Sequence, residues 1–329
     1  MKNILVLGSN SFSGSNFISV SLTKKANVYG ASRSSEKSSV MLPYKNSKHL
    51  KNFLFYKYDV NKNLDEIIDL VNSENIQYIV NFAAQSMVGQ SWDKPEDWVQ
   101  TNVLAISKLV SALKNNNTLK RYIHVTTPES YGSTEGWIKE RNEYYPSTPY
   151  AVSRAASDML MEIYFKEYQF PVIFTRAANV YGPAQQLYRI IPLTIFNLLT
   201  NVPIKLDGGG KSTRSFIFMD DVSEATYRLL DQGKIGETYH ISTTRIISIY
   251  DLVELICNKL GTRIKDSVEI VEERKGKDNT YQLDSQKLRN ELNWEEKFDL
   301  EKGLDITIDW FKNNLEALKK EPRKYIHQP

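Results

Sequence analysis

Hydrophobic and polar positions repeat on two different periods along the first half of the chain. Short runs that are apolar almost throughout and rich in β-branched or aromatic residues predict strands at 3–7, 27–31, 53–58, 78–82, 122–125 and 172–176. Strands buried on both faces of a parallel sheet read this way, rather than alternating in and out. Longer amphipathic stretches at 15–24, 64–73, 98–115 and 150–168 predict helices between them. Strand–helix alternation implies an α/β fold, a doubly wound parallel sheet. From about Gln186 the order becomes irregular, with helices expected near 192–200, 220–231, 249–260 and 300–313. We expect residues 1–185 to bind a dinucleotide and carry the reacting groups. Residues 186–329 should form a smaller mixed α/β region, mainly for substrate, with some chain returning to the sheet. The charged tail 319–329 is expected to be mobile, with Lys319, Lys320, Arg323 and Lys324 solvated.

Composition narrows the function classes. Of 329 residues 41% are hydrophobic, enough for a large core. Lys and Arg total 42 against 39 Asp and Glu, a net charge of +3, which argues against a dedicated nucleic-acid or membrane-surface binder. The single cysteine, Cys257, excludes an intramolecular disulfide and fits a reducing compartment. None of the 4 histidines is spaced as a ligand pair, so no metal site is expected. MKNILVLG lacks a cleavage pattern and no apolar run spans a bilayer, so a soluble cytoplasmic protein is the expectation. His124 lies in a strand, as a core histidine does, and Trp294 and Trp310 should pack the C-terminal region.

The first strand runs into Gly8-Ser-Asn-Ser-Phe-Ser-Gly14 and then a helix. That context lets backbone N–H groups and a helix N-terminus face a pyrophosphate. Ser11 stands where the middle glycine is usual, and for the loop taken alone an ordinary turn is the lesser alternative. Asp59, just past the third strand, is placed to hydrogen-bond an adenine amino group. After the second strand, YGASRSS offers Ser32, Arg33 and Ser34 but no carboxylate for a ribose 2′-hydroxyl. These residues suit a 2′-phosphate, so NADP is favoured over NAD. A solvated loop charge is the plain alternative for Arg33. Tyr150 and Arg154 lie four residues apart on one helix face. A phenol beside a fixed cation ionises more readily and can take a proton from a hydroxyl, although a core tyrosine with an i,i+4 neighbour has the same spacing.

In combination these residues carry a resemblance. Together with NFAAQSMVGQSW (81–92), TTPESYG (126–132), YAVSR (150–154), RAANVYGP (176–183), RIIP (189–192), GGGKSTRSFIFMDDV (208–222) and RKGKD (274–278), they make the chain similar to the extended short-chain dehydrogenase/reductases. Within that superfamily it resembles the nucleotide-sugar 4,6-dehydratases over nearly its whole length. The resemblance implies a Rossmann-type fold and a tightly bound NADP or NAD that is regenerated each turnover. The cofactor contacts would be Gly8, Asn10, Ser11, Phe12, Ser13, Gly14, Ser32, Arg33, Ser34, Asp59, Val60, Ala83, Ala84, Tyr150 and Arg154. It implies Tyr150 as base for a sugar 4-hydroxyl, assisted by Thr127, and Glu129 as the carboxylate that takes the C5 proton before water leaves C6. Arg154 stands where the family has lysine.

Pro128 stands where the dTDP-glucose enzymes carry Asp and the GDP-mannose enzymes carry Ser. Proline has neither a titratable group nor an N–H, so the acid for the leaving hydroxyl must lie elsewhere. Gln85, Ser86, Asn179, Arg189, Arg214 and Arg274 match substrate-side positions. AAQSMVGQSW resembles the GDP-mannose branch and favours a GDP-linked hexose, whereas RAANVYGP and RIIP resemble the dTDP- and CDP-glucose branches. Helices 98–115 and 150–168 match those of a homodimer interface. A UDP-glucuronate decarboxylase or 4-epimerase shares the C4-oxidised intermediate, and a non-catalytic nucleotide-binding relative shares the fold.

Overall fold

The structure is a computed structural model that describes residues 1–272 and 282–328. Seven strands form one parallel sheet: β1 (Asn3–Leu7), β2 (Asn27–Ala31), β3 (Phe53–Tyr56), β4 (Tyr78–Asn81), β5 (Arg121–Val125), β6 (Val172–Ala177) and β7 (Thr238–Ile241). Their spatial order is β7-β6-β5-β4-β1-β2-β3, so the chain winds outward in both directions from β1 and β4. Ligands bind α/β sheets in the crevice outside the strand ends at such a switch point. Ile4 to Leu7 are fully buried, as a central strand covered on both faces requires.

One face of the sheet is covered by α1 (Phe12–Thr23) and a helix at Met219–Gln232, through Phe17, Leu22, Ala225 and Leu229. The other is covered by α2 (Leu64–Ser73), α3 (Ala105–Leu113) and α4 (Pro149–Tyr168), through Ile67, Leu109, Val110 and Met161. A smaller cluster packs α5 (Ile190–Leu199) against the helices Ile249–Lys259 and Leu300–Leu318, around Ile195, Leu252, Leu304 and Phe311.

Several boundaries differ from the periodicity reading. β3 stops at Tyr56, not 58, because the Tyr58 N–H turns back to the Tyr56 carbonyl. The helix expected at 98–115 starts at Pro95 and passes through a π-helical turn, Gln100–Leu104, before α3. β7 was not foreseen; four residues between a helix and a loop carry no period of their own. Trp294 packs with Val222, Leu288 and Leu292 of the C-terminal region in a cluster that continues into the sheet-side core at Phe17. The tail is not solvated throughout: Tyr325 lies edge-on to Tyr188, and His327 stacks on Trp98 at 5.0 Å.

A buried ionic cluster joins β5, β6 and α4. Asp158 of α4 accepts from Arg176 Nη2 of β6 at 2.8 Å and from Thr126 Oγ1 at 3.0 Å, while His124 Nε2 of β5 lies 3.3 Å away. Asp158, Arg176 and His124 are all fully buried. Burial alone would raise the Asp158 carboxyl, but its His124 and Arg176 partners outweigh that and hold it below the usual range. Burial pushes His124 down, so its ring stays neutral. Removing one member strands a charge. Asp158→Asn should therefore lower the unfolding free energy by about 3–5 kcal/mol. Replacing the pair together, Asp158→Leu with Arg176→Met, should cost less than the single change. Urea denaturation checks both; equal losses would contradict the pairing.

Candidate active site

The glycine loop is built by close approach. Gly8 has φ +80, and a Cβ there would sit 2.7 Å from the Ala83 nitrogen; one on Gly14 would sit 2.3 Å from the Gly8 carbonyl. Ser11 fits the middle position for a local reason. Its φ/ψ of −73/160 is extended, and its hydroxyl accepts from Gly14 N–H at 3.0 Å as the N-cap of α1. The Asn10 amide donates to the Ser34 and Ser35 carbonyls at 3.0 and 2.9 Å, and its N–H donates to Ser32 Oγ at 3.0 Å. These bonds tie the β1 loop to the β2 loop that carries Arg33. The resulting cleft, about 250 Å³, is lined by Gly8, Asn10, Ser11, Ser32, Arg33, Ser34, Asp59, Val60, Ala83 and Ala84. Gln85 lies on this side too. Lys37, Tyr58, Asn61, Tyr325 and Gln328 complete it. Tyr58 and Asn61 flank Asp59 and were within reach of the sequence reading; no local pattern announces the last two.

An adjoining cleft of about 530 Å³ holds the residues expected to react. It shares Ser11, Phe82, Ala84, Ser86 and Gln186 with the first and adds Phe12, Ser13, Thr127, Pro128, Glu129, Tyr150, Arg154, Asn179 and Arg189. Thr127 is extended (φ −138, ψ 145), as a residue before proline tends to be, and Pro128 opens a 3₁₀ turn, Pro128–Tyr131. A proline at the first position of such a turn gives up an N–H that would have no partner there anyway. Thr127 Oγ1 accepts from Glu129 N–H at 3.3 Å. Tyr150 is the second residue of α4, whose N-cap, Thr148, accepts from Ala151 N–H at 3.2 Å. The Tyr150 N–H itself donates to Ser91 Oγ at 3.1 Å.

The electrostatics converge on the phenol. Burial, then the Glu129 carboxylate, raise the Tyr150 pKa; Arg154, a hydrogen bond with Thr127, and Arg189 oppose them. Arg154 is only 2% exposed. Its Nη2 donates to the Val125 carbonyl at the end of β5, while Nη1 is buried with no hydrogen-bond partner among the described residues. Arg214 stands apart, on a two-residue strand paired with Ile247–Ser248 and outside the residues lining either cleft. Arg274 lies outside the described residues.

The turn has a second support. His240 Nδ1–H donates to the Asp284 carbonyl at 3.1 Å, which leaves Nε2 to accept the Tyr131 hydroxyl at 2.9 Å. Arg176 lies 4.1 Å over the Tyr131 ring. Neither contact has a sequence signal, because the partners are far apart in the chain.

Known proteins share this fold. The family model described as GDP-mannose 4,6 dehydratase matches residues 5–307. The chain belongs to this family. Among curated relatives of this family member, a dTDP-glucose 4,6-dehydratase of Haemophilus influenzae is 30% identical over 336 residues, covering 94% of this chain and 98% of its own. A trifunctional UDP-glucose 4,6-dehydratase/3,5-epimerase/reductase of Arabidopsis thaliana is 35% identical over 270 residues, but the match spans only 40% of its length. A dTDP-glucose 4,6-dehydratase structure from Bacillus anthracis, in complex with NAD, superposes with a TM-score of 0.87 at 31% identity, over 96% of this chain and 98% of that one. A UDP-glucuronic acid 4-epimerase from Bacillus cereus, with UDP-glucuronic acid and NAD, gives 0.84 at 26%, over 94% and 99%.

The residues present fit a nicotinamide dinucleotide. The cradle at Gly8 and Gly14 excludes any Cβ, and the orphan Arg154 Nη1 is a buried donor beside Tyr150 that needs an acceptor. Among the described residues no group of acidic, His or Cys side chains is arranged to hold a metal, and no helix is long and apolar enough to cross a membrane.

Burial, followed by the Arg176 charge, pushes His240 down to about 3, below its unfolded value. The neutral ring therefore contributes stability above roughly pH 6.5 that is lost progressively as pH falls from there toward 3. From pH 7 to 5 this one group should remove about 2 kcal/mol of unfolding free energy. His240→Gln should flatten that part of the pH profile in urea denaturation; an unchanged slope would contradict a buried neutral ring.

Proposed function

We propose that this protein is a cytoplasmic nucleotide-sugar 4,6-dehydratase, converting an NDP-hexose to the NDP-4-keto-6-deoxyhexose. The observation that carries the reading is Glu129 in the same cleft as Tyr150 and Thr127, near enough to act on the phenol's ionisation. A 4-epimerase needs no such carboxylate, because nothing is eliminated. Tyr150, with Thr127 bonded to it and Arg154 as its cation, takes the proton of the 4-hydroxyl. A nicotinamide held between these residues would supply the hydride acceptor for C4 and the hydride donor for C6. The new 4-ketone acidifies C5–H, and Glu129 removes that proton. Hydroxide leaves C6 and, with one proton, departs as water. A proton from solvent is added at C5, and Tyr150 gives the proton of the 4-hydroxyl up to solvent. Because Pro128 has nothing to donate, the protonated Glu129 carboxyl supplies the proton for the leaving oxygen.

NADP is the cofactor the β2 loop supports. Ser32, Arg33, Ser34 and Lys37 line that end of the cleft, and the Glu36 carboxylate of the same loop is engaged by Tyr44 and Lys45 at 2.8 and 2.7 Å. The solved relatives named above carry NAD. On the base, the family description and AAQSMVGQSW support a GDP-linked hexose, while the relatives' names support dTDP- or UDP-glucose.

Incubation with GDP-, dTDP-, CDP- and UDP-hexoses followed by mass spectrometry decides the reading. Loss of one water from one of them is expected. Loss of carbon dioxide from UDP-glucuronate would replace the reading with decarboxylation, and a mass-neutral change with epimerisation. Glu129→Gln should lower turnover by about 10²–10⁴-fold while transient nicotinamide reduction persists, seen by absorbance; undiminished dehydration would contradict the role.

Homodimer formation is part of the proposal. Val152, Met159 and Ile163 on α4, with Val99 and Leu104 on the preceding helical segment, are exposed to between 41% and 57%. Such an apolar face suits a second copy. Met159→Glu with Ile163→Glu should give a monomer in sedimentation velocity; an unchanged dimer would exclude this face.

A further inference from the structure

After the helix Leu300–Leu318 the chain turns back across the molecule and ends its described course beside the cofactor cleft. Glu321 accepts from the Ser38 hydroxyl at 2.5 Å, and the contacts that follow fall on elements that line or flank the two clefts. Arg323 lies 5.5 Å over the Phe196 ring of α5. Tyr325 lies edge-on, 5.8 Å from Tyr188, which lines the reacting cleft. His327 stacks on the fully buried Trp98 with the rings 10° from parallel, and its Nε2 is 2.6 Å from Asp97 Oδ2. Its Nδ1 is 3.2 Å from the Tyr325 hydroxyl. The Gln328 carbonyl accepts from Gln85 Nε2 at 2.7 Å.

The last bond crosses between rigid points. The Gln85 backbone is clamped on both sides by Asn102, whose amide also donates to Ser153 Oγ at 2.9 Å. Tyr325 and Gln328 therefore complete the wall of a cleft whose remaining residues include Gly8, Arg33 and Asp59. Tyr325 senses Arg33 from the cofactor side and Arg189 from the substrate side. Trp98 and Asp97, on the helix that begins at Pro95, form the anchor.

We infer that residues 325–328 form a strap that closes the cofactor cleft and holds the dinucleotide through turnover, with His327 seated on Trp98 and Asp97 as its anchor. The inference rests on the dehydratase reading, since an enzyme that gives back the hydride it removed needs a cofactor that stays bound between the two transfers. The strap joins the substrate-side wall at Tyr188 to the cofactor-side wall at Gln85, so it must be displaced for the dinucleotide to exchange. Retention is then governed by the anchor as well as by direct contacts.

The test is the release rate of NADPH, and separately of NADH, from the full-length protein. It is followed by the loss of nucleotide fluorescence after a chase with excess oxidised cofactor. His327→Ala should release the nucleotide at least tenfold faster than the unaltered protein. His327→Phe, which keeps the stack but loses the Asp97 contact, should fall between them. Lys324→Ala, an exposed change outside the strap's contacts, should leave release unchanged. Thermal unfolding of the nucleotide-free forms separates loss of fold from loss of closure; if His327→Ala unfolds, His327→Phe decides. Unchanged release in the His327 variants would overturn the strap while leaving the dehydratase reading in place. Slower release or tighter binding would also overturn it, marking the segment as a plug. An unaltered protein that binds neither nucleotide would overturn both.

Discussion

The buried carboxylate of Asp158 is the point on which the site's geometry hangs. It sits one helical turn beyond Arg154 and two beyond Tyr150 on α4, and it holds Arg176 of β6 and the hydroxyl of Thr126 at the end of β5. A charge in the interior is tolerable only if paired and hydrogen-bonded, so its partners leave it little freedom. That fixes the helix carrying the phenol against the strand end carrying Thr127 and Glu129. Arg176 then passes the constraint on by lying over Tyr131, whose hydroxyl is held by His240 from β7. The reacting turn is thus braced from three parallel strands, and ordinary loop motion is restricted where a misplacement of about 1 Å can cost 10²-fold in rate.

Within that frame the two unusual residues have local explanations. Pro128 occupies the first position of a 3₁₀ turn, where proline is well accommodated and the preceding Thr127 is extended as proline demands. The turn is kept without an acid at this position, so the proposed dehydration leaves proton handling to Glu129. Arg154 uses one arm of its guanidinium on the Val125 carbonyl, while the other, Nη1, is buried with no hydrogen-bond partner among the described residues. A lysine ammonium would offer a single point charge; the planar fork can serve the strand end and a ligand at once.

Most of the sheet was legible because strands buried on both faces carry near-continuous apolar runs, and the edge strand β3 keeps such a run although its Leu54 is exposed. β7 was not, since its four residues gain meaning only from pairing with β6. The structure brings Gly8 and Asp59 to one cleft and Tyr150 and Glu129 to the adjoining one, residues singled out by a strand-to-helix loop, a strand end, a helical spacing and the family resemblance in turn. The supports were not legible: Asp158, His240 and Asn102 act across 17 to 109 residues of sequence, where no local pattern reaches. The tail shows the same limit from the other side. Its charges predict solvation, yet its aromatic residues find Tyr188 and Trp98, and those contacts exist only in three dimensions.

The central claim is that one phenol and one carboxylate carry out an internally balanced dehydration without an acid at position 128. The most direct measurement is turnover of the accepted NDP-hexose carrying deuterium at C4, in ordinary water, read by proton NMR of the product. The account predicts a 4-keto-6-deoxy product with the deuterium moved to C6 and a solvent-derived proton at C5. Deuterium remaining at C4, or lost to solvent, would contradict it.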